Sequence, residues 1–217
     1  MSSKRPFLSG EHSVIPLFRL GGNVFPGELL PLHIYEERYQ KLLRFCLAEV
    51  PLFEEDETRD SHHFGVLLTG KNSAQWGCTV EIQAVLQRYE DGRLDILTKG
   101  IRLFELMQEL PDQDFPRAHV RWGEDGGQPP KRLREVAREE FEKFLTNINV
   151  EMAVPDEAHV RAFRIGALIR LDVFERQELL NAATEKARLI KLIDFMRFRN
   201  ELVLRAGPEA VKNLYSA

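Results

Sequence analysis

Gly123-Glu124-Asp125-Gly126-Gly127-Gln128-Pro129-Pro130 divides the sequence into two differently patterned parts. Its glycines and prolines neither pack well nor continue a helix or strand. Before it, apolar residues recur with the period of a strand. After it, they recur with the period of a helix. The chain therefore reads as α+β, with a β-rich segment over residues 10–125 and a helical one over residues 130–217.

On the N-terminal side, short apolar runs at Val14–Leu17, Leu29–Ile34, Phe64–Thr69, Leu103–Met107 and Ala118–Trp122 read as strands. Pro31 restricts its run to a sheet edge or a bulge, because proline cannot donate to a ladder. From Thr79 to Tyr89, Val80, Ile82, Ala84 and Leu86 alternate with Glu81, Gln83 and Gln87, and Val85 breaks the pattern. Asp91-Gly92 then signals a hairpin, and Leu94, Ile96 and Leu97 resume the strand up to Gly100, a position suited to a bulge or bend. Short strands with frequent turns point to a closed or nearly closed barrel. One helix, near residues 36–49, interrupts them: Tyr35, Tyr39, Leu42, Leu43, Cys46 and Leu47 form a single stripe.

On the C-terminal side, Leu133, Val136, Ala137, Phe141, Phe144, Leu145 and Ile148 mark one helix. Pro155-Asp156 opens a second, through Val160, Phe163, Ala167 and Leu171. Asp172 and Glu175 have capping-box spacing for a short third, and Thr184 caps a fourth that runs to about Leu204, before Gly207-Pro208.

Charge narrows the function. The 217 residues include 30 basic and 34 acidic ones, a formal charge of -4. Residues 1–125 carry 14 basic and 20 acidic residues, residues 126–217 carry 16 and 14, so the β-rich part is the acidic one. Phosphate contacts need lysine and arginine, which argues against nucleic acid as a partner. Lys131, Arg132, Arg134 and Arg138 read as a solvated helix face without interleaved aromatic platforms. No apolar run approaches a membrane span, and no secretory leader is evident. Cys46 and Cys78 stand apart and read as buried, reduced thiols of a cytoplasmic protein.

Catalytic signals are weak. Gly65-Val66-Leu67-Leu68-Thr69-Gly70-Lys71-Asn72 comes within one residue of a phosphate loop, but Asn72 replaces the hydroxyl that would hold Mg²⁺. The residues before Gly70 are strand formers, and no helix follows, so the stretch reads as a strand ending in a turn. Glu54 to His63 gathers acids and histidines in what reads as a solvated loop. His33 reads as a structural histidine at a strand–helix junction. The expectation is no enzyme, no metal and no cofactor.

A familiar pattern occupies the first forty residues. Ile15-Pro16-Leu17-Phe18-Arg19-Leu20, Val24-Phe25-Pro26-Gly27 and Leu30-Pro31-Leu32-His33-Ile34-Tyr35-Glu36-Glu37-Arg38-Tyr39 resemble the N-terminal domain of the Lon ATP-dependent protease family. That family typically reads P-L-F-P-L, F-P-G, then L-P-L-x-I-F-E-x-R-Y. Phe64-Gly65-Val66, Asp91-Gly92-Arg93-Leu94, Gly100 before Phe104, and Gln177-Glu178-Leu179-Leu180 fit as well, whereas Arg19 and Leu103 depart from the pattern. The resemblance implies a PUA-like pseudo-β-barrel followed by a helical bundle. It also implies a stand-alone substrate-binding module, without the ATPase and peptidase modules of the full protease.

The partner so implied is unfolded polypeptide or a partner protein, captured through exposed apolar segments. Phe25, Pro26, Tyr35 and Tyr39 are the candidates for a groove wall, although Tyr35 and Tyr39 equally suit the core stripe of the helix. Pro26 and Pro31 remove main-chain donors there, so side chains would carry more of the contact. An RNA-binding role, which PUA-like barrels also serve, and a structural adaptor role remain as alternatives.

Overall fold

The computed structural model describes residues 12–47, 63–69, 75–111, 114–123 and 127–209. The acidic stretch up to His62 and the Gly70–Asn72 turn lie outside them. The chain divides into two compact units, residues 1–124 and 125–217.

The first unit holds β1 (His12–Leu20), β2 (Leu29–Ile34), α1 (Glu37–Leu47), β3 (His63–Leu68), β4 (Trp76–Arg88), β5 (Leu94–Glu109) and β6 (Arg117–Trp122). The strand order is β2-β5-β4-β3-β1-β6, with a further β5–β6 ladder. That last ladder closes β5-β4-β3-β1-β6 into a barrel and leaves β2 as an added strand. Every pairing is antiparallel except β1 with β3. The sixteen residues of β5 make this possible. Its first half pairs with β2, its second half pairs with β6, and β4 runs along both.

The barrel interior is filled by Ile15, Leu17, Leu67, Phe104, Ala118, Val120 and Trp122. Phe104 lies over two glycines: a Cβ at Gly77 would meet its ring at 2.6 Å and one at Gly65 at 2.9 Å. Leaving out two side chains makes room for one large ring. Gly100 serves a different end. The chain crosses it at Phe25–Pro26, and a Cβ there would sit 2.1 Å from the Phe25 carbonyl oxygen. Gly27 N–H bonds to Gly100 O at 2.7 Å and Gly100 N–H to Glu28 O at 2.8 Å. The bend expected at Gly100 is thus a backbone crossing, accompanied by a register shift opposite Val80.

The alternation read for Thr79–Tyr89 is altered. Register shifts at Ile82/Ala84 and Val85/Gln87 each insert a residue, and each insertion flips the side chains that follow. Val85 therefore pairs with inward-facing Ile96, while Ala84 and Leu86 are exposed. At the hairpin, Gly92 has φ 88°, and the Asp91 carboxylate accepts Arg93 N–H at 3.2 Å. Helix α1 buries Tyr39, Leu42, Leu43 and Cys46, four of the six residues of the expected stripe, while Leu47 is half-buried and Tyr35 precedes the helix.

In the second unit, α2 (Lys131–Asn147), α3 (Ala162–Leu168), α4 (Val173–Asn181) and α5 (Glu185–Ala206) follow one another. The helix expected from Pro155 to Leu171 is instead a 3-10 turn, Glu157–His159, then α3, because Val160 and Arg161 are extended. The Asp172–Glu175 capping box is present, and Thr184 Oγ1 accepts Ala187 N–H at 3.2 Å. The Glu175 carboxylate also holds Arg199, which is 2% exposed along its side chain, through two hydrogen bonds, one of 2.9 Å from Nη1. Lys131, Arg132 and Arg138 are exposed, but Arg134 is not a free surface charge: it bonds to Glu157 and to the Pro129 carbonyl.

Candidate binding edge

The four residues expected to wall a groove do not form one. Phe25 is 0% exposed and Tyr39 is 2% exposed, so both belong to the core. The Tyr39 ring lies tilted by 33° against Phe18, with centroids 4.1 Å apart, and its hydroxyl accepts Arg19 N–H at 3.2 Å. Phe25 misled because Phe-Pro-Gly reads as a loop tip. Here the loop folds back over β5, and the residue before the proline fills the core. Pro26 is half-buried, and Tyr35 is 64% exposed, outside the stripe that it also suited. These two flank β2, whose six residues span roughly 20 Å at ~3.3 Å per residue.

Between them runs the exposed margin of the sheet. Among the described residues β2 pairs only with β5. The Gly100 N–H to Glu28 O bond fixes the phase of that ladder. By alternation, Leu30, Leu32 and Ile34 turn their backbone N–H and C=O toward β5, and Leu29, Pro31 and His33 turn theirs outward. Thr98 Oγ1, which donates to Leu30 O at 2.8 Å, agrees. Pro31 thus sits where its missing N–H leaves no gap in the ladder.

The outer face of this margin is apolar at its centre. Leu29, 57% exposed, stands opposite Lys99 and diagonal to Leu97 and exposed Ile101. Pro31 stands opposite Leu97, which faces Ala84 on β4. At the far end the face becomes polar. His33 Nδ1 meets Asp95 Oδ1 at 2.5 Å, and Tyr89 OH donates to Asp95 Oδ2 at 2.7 Å. The His33 ring is stacked with Tyr35 at 6.1 Å and edge-on to Tyr89 at 5.9 Å. The hydrogen bonds from His33 and then Tyr89 hold the Asp95 carboxyl below the usual carboxylate range. The bond to Asp95 in turn raises the Tyr89 phenol.

Leu29, Leu97 and Asp95 were not singled out from the sequence. The signal was available: alternation through Leu94–Gly100 puts Asp95, Leu97 and Lys99 on one face. What it does not show is that this is the outer face and that β2 lies beside it.

Among the described residues, no serine, threonine or cysteine side chain bonds to His33, and no three His, Cys, Asp or Glu residues converge to hold a metal. Burial pushes both thiols, Cys46 and Cys78, up to about 12. A thiol so protonated is a poor nucleophile. No helix among the described residues is long and apolar enough to cross a membrane.

Comparison with known proteins places this geometry in a family. Residues 14–197 match the ATP-dependent protease La (LON) substrate-binding domain. A Lon protease from Azospirillum brasilense is 25% identical over a 192-residue alignment that covers 80% of this chain and 22% of that protein. The chain thus corresponds to less than a quarter of its relative's length. Among solved structures, the Lon N-terminal domain protein from Xanthomonas campestris has a TM-score of 0.63 at 24% identity, covering 85% of this chain and 99% of the other. The N-terminal domain of Mycobacterium avium complex Lon protease has a TM-score of 0.60 at 14% identity, covering 85% and 98%. The two structures share the fold, a PUA-like barrel with helices after the sheet, and the match over residues 14–197 assigns the sequence: the chain belongs to the Lon substrate-binding domain family.

Proposed function

We propose that the chain is a non-catalytic module of the cytoplasm that captures extended, apolar segments of unfolded polypeptide along β2, between Pro26 and Tyr35. The observation that carries this reading is the outward row Leu29, Pro31, His33, with backbone groups unpaired among the described residues and the apolar patch of Leu97, Ala84 and Ile101 beside it. An incoming strand adds main-chain hydrogen bonds at such an edge, and alternate side chains rest on the face. Apolar burial contributes ~25 cal/mol per Å² before ordering costs. The complex should therefore tolerate moderate salt.

The test is fluorescence anisotropy of a labelled decapeptide of alternating valine and serine, at two salt concentrations. Wild type should bind with little salt dependence. Leu29→Asp should weaken binding by at least ~1 kcal/mol, by placing a charge where an apolar side chain rests. Tyr35→Ala should weaken it less. No peptide binding, together with steeply salt-dependent binding of single-stranded RNA, would overturn the reading. ATP turnover that disappears in Lys71→Ala would overturn its non-catalytic part.

A further inference from the structure

Pro31 is the middle one of the three outward-facing positions of β2. Leu29 and His33 each present an N–H and a C=O, whereas Pro31 presents a C=O alone. The hydrogen-bonding capacity of this edge is therefore asymmetric.

An exposed edge can pair with any extended chain, including the same edge of a second copy. In a two-fold antiparallel pairing centred on Pro31, Leu29 of each copy meets His33 of the other, but the central pair is Pro31 against Pro31. Both central donors are missing, and two carbonyls lose water without gaining a partner. Shifting the register does not help. Any register that joins two successive outward positions includes Pro31, because it is the middle of three. Two-fold symmetry then applies the penalty twice. A foreign chain meets it once, and it can turn the one unserved carbonyl toward solvent through a bulge. A free polar group without a partner disfavours a complex more than a hydrogen bond favours it, so the asymmetry decides between the two occupants.

We propose that Pro31 is a specificity-determining residue that denies β2 to a second copy of this chain and so keeps the edge available to a foreign extended polypeptide. The inference rests on the binding reading above, and it goes beyond it by assigning one residue the discrimination between partners. The occupant is an extended peptide strand, recognised by backbone donors and acceptors at Leu29 and His33 and by the Pro31 carbonyl.

The test compares the 217-residue chain with its Pro31→Thr variant. Threonine restores the donor and suits an edge strand. Sedimentation velocity over a range of concentrations reads association. Amide hydrogen exchange by NMR shows whether β2 mediates it, and anisotropy with the valine–serine decapeptide reads capture. In wild type, the Leu29 and His33 amides should exchange fast at all concentrations while those of Leu30, Leu32 and Ile34 are protected. Pro31→Thr should associate with rising concentration, with the amides at 29, 31 and 33 becoming protected. At low protein concentration it should bind the decapeptide about two- to tenfold tighter, as one added hydrogen bond implies.

A folded Pro31→Thr protein with wild-type association and wild-type peptide affinity overturns the inference while leaving the binding reading intact. Association of Pro31→Thr through β2, with no peptide bound by either protein, overturns the binding reading and supports the role of Pro31 against self-pairing. Concentration-dependent protection of Leu29 and His33 in wild type overturns the inference by itself. That measurement needs no variant, and Pro31→Ala replaces Pro31→Thr if the latter fails to fold.

Discussion

Replacing Gly100 by alanine tests the crossing on which the position of β2 depends. The new methyl would lie 2.1 Å from the Phe25 carbonyl oxygen, 2.9 Å from its carbon and 3.3 Å from Pro26 Cα. All three atoms are backbone, so no side chain can turn away. The crossing segment must retreat by about 1 Å to reach ordinary contact distances. That loosens the 2.7 Å and 2.8 Å bonds that tie Gly27 and Glu28 to Gly100. Two hydrogen bonds contribute ~0.5–1.5 kcal/mol each, and overpacking costs ~1–3 kcal/mol. Against this, alanine restricts the unfolded chain and returns ~0.4–1 kcal/mol. The net expectation is a loss of about 2–4 kcal/mol, which in a unit of this size lowers the melting midpoint by roughly 8–16 °C. Both tryptophans of the sequence, Trp76 and Trp122, lie in the first unit, so intrinsic fluorescence follows its unfolding selectively. Gly22→Ala is the control: nothing lies within 4 Å of its Cβ position, and its midpoint should stay or rise slightly. A Gly100→Ala midpoint equal to or above that of wild type would refute the crossing.

The remaining expectations concern other parts of the molecule. Phe25→Ala should cost ~3–5 kcal/mol in the same fluorescence assay, the range for emptying a buried phenylalanine site, and not act as a mild surface change. Glu175→Ala should cost ~3–5 kcal/mol in a circular-dichroism melt, because it leaves Arg199 buried without its carboxylate, and Glu175→Gln should cost less. For Asp95, a carboxyl depressed in the folded state, the stabilising contribution is complete above the unfolded value of ~3.9 and is lost as pH falls through the lower folded value. His33→Leu should move the Asp95 carboxyl titration upward, as read by carbon-13 NMR; an unmoved titration would show that the His33 bond does not hold it. Both thiols should resist a disulfide reagent at pH 8 in the native protein and react promptly in guanidinium.

Much of the fold could be read from local pattern. The hairpin at Asp91-Gly92, the α1 stripe and the helix caps at Asp172 and Thr184 are each specified within a few residues, by turn chemistry or by periodicity. The departures occur where distant chain segments meet. Phe25 looks exposed until β5 passes beneath it, and only Gly100, far along the sequence, shows why it is buried. The bulges in β4 invert inside and outside at Ala84 and Leu86, and Val85, which broke the alternation, was their only local trace. Pro31 correctly implied an edge. Which side of that edge carries the apolar face depended on register, and register is a tertiary property.

The long β5 strand also bears on how the molecule assembles. Its ladder with β4 is joined by the tight Tyr89–Arg93 turn, whereas the seam between β1 and β6 unites residues as far apart as His12 and Arg121. Loop-closure entropy sets their order: the β4–β5 hairpin closes early, and the β1–β6 seam closes late. Opening of the barrel is accordingly expected to start at the β1–β6 seam, before the β4–β5 hairpin gives way. β2 pairs with β5 across 60 to 70 residues, from Ile34–Leu94 to Leu29–Lys99, so it docks on a hairpin already formed, and that hairpin is the last support of the edge to be released.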